Sequence, residues 1–166
     1  MIAERISRTN VLKERIEKAF RRIEGFVLPY EEGHFNKFFA EDVPALLLYV
    51  AGSDSEISTE EEAVFDRFGG FRFNKGKPKK EAKGATASCS SADRTLPKFL
   101  LNAIEEEENM RGFLDTGANL TLARDGYEYL ELVGRLCAEA GGDREKKLCA
   151  LEAYLSATAD LIEALC

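Results

Sequence analysis

The sequence predicts an all-α fold: a single-domain bundle of about six to seven helices interrupted by a long basic loop. Three observations carry that expectation. Apolar residues recur at helical spacing in most segments of the 166-residue chain. No segment sustains the period-two alternation of a half-buried strand. Helix starts and stops are marked by Ser or Asp caps and by the glycine pairs Gly69-Gly70 and Gly141-Gly142. A chain of this length, 45% apolar, buries enough surface for one core without disulfides or metal.

Residues 1–28 form an amphipathic helix packed on the core. Ile2, Ile6, Leu12, Ile16, Phe20, Ile23 and Val27 make one stripe, and Arg and Glu take the other face. Heptad spacing is too short here to argue a coiled coil. Residues 29–70 are the first helical half. Pro29 and Gly33 punctuate, a short aromatic helix with Phe35, Phe38 and Phe39 follows, and Pro44 opens a helix. Leu46, Leu47, Leu48, Val50 and Ala51 are apolar nearly all round, as in a central buried helix. Ser58-Thr59-Glu60-Glu61 has the form of a capping box, and three glutamates then occupy a first turn, where the helix dipole favours negative charge.

Residues 71–95 mix Gly, Lys and Ser with few apolar groups. Such a segment cannot offset its own ordering entropy, so a basic loop is expected. Residues 96–166 are the second helical half. Pro97 opens a helix with Phe99, Leu100, Ala103 and Ile104 inward. A long helix carries Leu120, Ala123, Tyr127, Leu130, Val133, Leu136 and Cys137 on one face. Asp143 caps a last helix with Leu148, Leu151, Leu155, Ile162 and Leu165 as its stripe.

The net charge of −7 is unevenly divided. Residues 71–98 hold eight Lys or Arg against two acids, a local +6; the remaining chain holds 15 basic and 28 acidic residues, or −13. A body that acidic repels phosphate, so nucleic acid is not the expected partner; a protein is. Charges begin at Glu4, which is unlike a signal peptide, and no apolar run has membrane-span length. A cytoplasmic location follows as the expectation. Cys89, Cys137, Cys149 and Cys166 lack zinc-knuckle spacing, and His34 is the only histidine. Cys137 and Cys149 are expected in the core.

Two candidate chemistries remain. Asp54 and Glu56, alongside water, are oxygen donors for a divalent cation, Ca²⁺ or Mg²⁺. An EF-hand is excluded, because Thr59 falls where the tight turn needs Gly and Phe65 where a bidentate Glu is needed. Carboxylates Glu105 to Glu108, Asp115 and Asp125, with His34, are the acid–base groups available to a hydrolytic enzyme. Four consecutive glutamates point in four directions round a helix, which suits a solvated surface better than a paired site. No phosphate loop, nucleophile elbow or metal-ligating His pair is present.

The run from Leu48 to Glu61, "LYVAGSDSEISTEE", resembles the signature of TerB-like (tellurite-resistance B) helical domains. There an apolar helix ends in an Ala-Asp-Gly-Glu-Ile/Val-Ser-x-x-Glu loop that caps the next helix. On this match Asp54 and Glu56 take the acidic loop positions, Ile57 the buried one and Glu61 the acid of the following helix, while Ser55 stands in place of Gly. The resemblance extends over residues 40–70 and 120–165, but the second half lacks the loop acids. It implies an interaction module associated with stress responses, with divalent-cation binding at Asp54, Glu56 and Glu61, and not an enzyme. The alternative is a helical scaffold that self-associates, as a homodimer, through the N-terminal helix.

Overall fold

The long helix of the second half sits at the centre of the domain. A computed structural model describes residues 2–26, 33–51, 59–68, 96–109, 118–140 and 143–165. Among them are six α-helices and no strand: α1 (Ile2–Phe26), α2 (Val43–Ala51), α3 (Thr59–Phe68), α4 (Lys98–Asn109), α5 (Ala118–Ala140) and α6 (Arg144–Leu165). A π-helical turn, Phe38–Asp42, leads directly into α2. Helix α5 touches all five of the others. The expected loop at 71–95 lies outside the described residues.

The α1 stripe behaves as its spacing predicts: Leu12, Ile16, Phe20 and Ile23 are fully buried, and Thr9 joins them. Phe20 is the centre of an aromatic cluster, with Phe35, Phe38 and Phe39 at centroid distances of 5.9, 6.1 and 6.2 Å. Tyr129 of α5 closes it, 5.3 Å from Phe39 and near edge-on, the arrangement ring quadrupoles favour. The basic residues of α1 face the acids of its neighbours. Arg5 pairs with Glu139, Arg8 with Glu128 (2.9 Å) and Arg15 with Asp125 (3.1 Å), while Arg22 reaches Glu107 of α4. As the α1 number rises its partner on α5 falls, so the two helices run antiparallel.

The turn after α1 is held by one side chain. Both Glu24 carboxylate oxygens accept backbone N–H groups, Oε2 from Gly33 and Oε1 from Phe35, each at 2.8 Å. Gly33 has φ +84°, a conformation L side chains rarely adopt. The aromatic residues that follow enter the core through that turn.

Helix α2 is buried nearly all round, as expected: Val43, Pro44, Leu46, Leu47, Leu48, Val50 and Ala51 are inside. The apolar face of α5 is confirmed at Ala123, Leu130, Val133, Leu136 and Cys137, and Tyr129 extends it. Asp143 caps α6, its Oδ1 accepting from Lys146 N–H at 3.2 Å. One expectation is corrected. Cys137 is buried, but Cys149 is exposed, because it lies off the face of α6 that carries Leu151 and Tyr154.

Two glycines of α5 set its distance from its neighbours. A Cβ on Gly126 would lie 2.6 Å from Leu100 Cδ1 of α4, and one on Gly134 would overlap Leu151 of α6. Both leucines are essentially fully buried and have no free space to turn into. At an open helical site, Gly→Ala gains about 1 kcal/mol. Here Gly134→Ala is expected to lose about 1–3 kcal/mol through overpacking, read as a fall in the urea midpoint. A raised midpoint would show that α5 and α6 are not held this close.

Candidate functional site

Helix α6 has more apolar surface than it can bury. Its inward face carries Leu151, Tyr154, Leu155 and Thr158, all buried. Leu148, Ile162 and Leu165 are half-buried, and Leu161 faces outward, 39% exposed. A helix with apolar groups on most of its circumference normally has neighbours on most of it. The C-terminal half of α6 has described neighbours on only part of it.

Open depressions flank this half of α6. The larger, about 670 Å³, lies between α5 and α6, with Ala123, Tyr127, Ala159 and Ile162 in its wall. Glu128, Glu131 and Glu163 are its acids and Arg124 its base. The other, about 510 Å³, lies between α4 and α6, with Phe99, Leu101, Leu161 and Leu165 apolar and Lys98 and Glu105 charged. Leu161, the exposed one, belongs to the second. No Lys or Arg occurs after Lys147, whereas Glu152, Asp160 and Glu163 are all exposed on α6. The exposed residues of this half of α6 are thus Leu161, small residues and acids.

Ion pairs hold the α5 wall. Arg8 grips Glu128 with two 2.9 Å contacts, which draws that carboxyl below its usual range. Glu131 pairs with Arg135 one turn on, at 3.1 Å. Tyr127 is pushed up from its ordinary value, first by burial and then by the charge of Glu131.

The α4 wall is set from a distance. Asp42, buried in the π turn, accepts the N–H groups of Phe99 at 2.9 Å and Leu100 at 3.1 Å through Oδ2. It therefore caps a helix that begins 56 residues further along the chain. Burial raises its carboxyl to about 7, against the pull of those backbone hydrogen bonds, and Glu41 adds to the rise. Tyr154 is raised by burial and then by the nearby Asp42. The Tyr154 hydroxyl and Thr158 Oγ1 are buried without a hydrogen-bond partner among the described residues.

Of the residues singled out from the sequence, the described ones fall in several parts of the fold. Asp54 and Glu56 lie outside the described residues. Glu61 falls in the first turn of α3, its side chain likewise outside. Among the described residues no group of three or more His, Cys, Asp or Glu could hold a metal ion. Of the glutamate run, Glu107 is buried against Arg22 and Glu105 is exposed. Asp125 is buried beside Arg15 on the α1 side of the bundle, and Asp115 is outside the described residues. His34 stacks edge-on against Phe35 and Phe99, at 5.0 and 5.9 Å. His34 lines neither of the two depressions. Among the described residues, no helix is long and apolar enough to cross a membrane.

Compared with models of protein families, with curated proteins and with solved structures, the chain matches none.

Sequence reasoning missed Asp42 and the α6 face. No local signal marks Asp42, whose partners are distant in sequence. The α6 face did have one, the adjacent Leu161 and Ile162 in a stretch without basic residues.

The raised Asp42 carboxyl has a definite consequence for stability. Its folded value lies above the unfolded one, so the stability it contributes is complete below about pH 4 and is lost as pH rises through about 7. Asp42→Asn keeps an acceptor oxygen for α4 and removes the ionisation. Urea midpoints of the wild type should therefore fall more steeply between pH 5 and pH 8 than those of Asp42→Asn. Asp42→Ala, which loses the cap, should be about 1–2 kcal/mol less stable than Asp42→Asn throughout. Equal slopes for wild type and Asp42→Asn would remove the ionisation from the account.

Proposed function

We propose that this chain is a non-enzymatic helical interaction module that takes a protein partner on the outer face of α6. The observation that carries the proposal is the exposed Leu161, which lines the open, largely apolar depression between α4 and α6. Burying such a face against a partner removes apolar surface from water, which is the main driving force of association.

Two features favour this reading over its rivals. The self-associating scaffold needs the α1 stripe, but Leu12, Ile16, Phe20 and Ile23 are buried in the core of a single chain. The hydrolytic alternative needs carboxylates that face one another across a cleft, and Glu107 and Asp125 are each engaged with an arginine of α1 instead. The TerB-like resemblance of residues 48–61 implies the same class of function. The divalent cation expected at Asp54, Glu56 and Glu61 is not needed for it.

A photo-crosslinking residue at Leu161, with a second variant carrying it at the exposed Lys18 of α1, tests the proposal in the cells that make the protein. A discrete adduct from position 161 and none from position 18 is the expected result. An adduct of twice the chain's mass would favour a homodimer. No adduct from position 161 would overturn the proposal.

A further inference from the structure

We infer that the α4–α6 depression is covered by a second copy of this chain, docked across a two-fold axis with the two α4 helices antiparallel. The inference rests on the reading of the α6 face as a partner surface and names the partner. The surface is not the α1 stripe, which is buried within one chain. Both helices supply apolar groups to the depression, Leu101 from α4 and Leu161, Ala164 and Leu165 from α6. Leu161 and Ala164 are exposed, so this part of the wall faces solvent. An apolar wall attracts a partner without choosing one. The polar groups around it make the choice.

Lys98 and Glu105 are exposed on α4, and both line the depression. Seven residues apart, they share one face of the helix with about 10 Å between them along its axis. Neither has an ion-pair partner among the described residues, whereas Glu128 and Glu131 of the other groove are already paired with Arg8 and Arg135. A two-fold interface matches residue i with j and j with i. With the axis at the level of Leu101 and Asn102, midway between the two charges, Lys98 of each chain faces Glu105 of the other. Two ion pairs then close the ends of the contact. Asn102 meets its own copy at the axis, and an amide, which both donates and accepts, is its own complement. Asp160 and Glu163, the acids of this half of α6, are not in the wall. A foreign partner would need the same charge pair in the opposite order; a second copy already carries it.

Sedimentation velocity of the full chain from about 10 to about 500 µM should show the mass rising from one chain towards two. Lys98→Glu leaves two acids at these positions and Glu105→Lys two bases. Each variant alone should therefore dimerise about tenfold more weakly, because the interface counts every change twice. An equimolar mixture of the two variants restores opposite charges at both ends and should recover the mass of two chains. Both positions are exposed, so each variant should melt as the wild type does, which its melting curve checks. A wild type that keeps the mass of one chain throughout would overturn the inference. So would single variants that dimerise as tightly as the wild type, or a mixture no tighter than either variant. A monomeric wild type alongside an adduct at position 161 with a different protein would leave the α6 face as the interface and remove only the self-pairing. Failure of both would remove the surface itself.

Discussion

The close approach of α4 and α6 to the two glycines of α5 is the constraint on which the rest of the structure depends. Gly126 receives Leu100 and Gly134 receives Leu151, so both neighbours reach nearer to the α5 backbone than any side chain would permit. With those two helices fixed, the opposite side of α5 is left for α1, whose stripe and arginines fit it in antiparallel register. Helix α2 fills the remaining interior and has almost no polar surface of its own. The ion pairs along α1 are partly exposed and contribute little individually; what they fix is register and direction.

The same packing explains why α6 carries unburied apolar surface. Its inward face is shared between Leu151, seated against Gly134, and the polar groups of Tyr154 and Thr158. Leu161 and Ile162 extend beyond that contact. Asp42 fixes the other wall of the same region by holding the first turn of α4, so a buried carboxyl in the aromatic π turn helps to place a wall of a surface depression. A buried carboxyl that accepts two backbone N–H groups is a specific but pH-sensitive way to place a helix.

Most of the architecture was legible in the sequence. The apolar stripes of α1, α5 and α6 and the unbroken apolar run of α2 follow from spacing alone, and the stop at Gly141-Gly142 and the Asp143 cap follow from local chemistry. What local patterns could not supply was anything that joins distant segments. Asp42 looks like one more acid before an apolar helix until α4 is seen to begin on it, and Glu24 looks like a surface residue until Gly33 and Phe35 are seen to donate to it. Cys149 was placed in the core because its neighbours are apolar, yet a helical position is decided by its angle to the packed face. Asp54 and Glu56, the acids of the expected cation site, lie outside the described residues. The α6 face was legible in part, in its apolar residues at many angles and its acids without bases after Lys147.

Native-state amide hydrogen exchange tests the central claim most directly, namely that α5 is the packed hub while the outer half of α6 lies at the margin of the fold. Exchange should be slowest at Leu130, Val133 and Cys137 of α5, opening only with global unfolding, and markedly faster at residues 159–164 of α6. Equal protection of the two segments, or α5 opening before α1, would contradict the account.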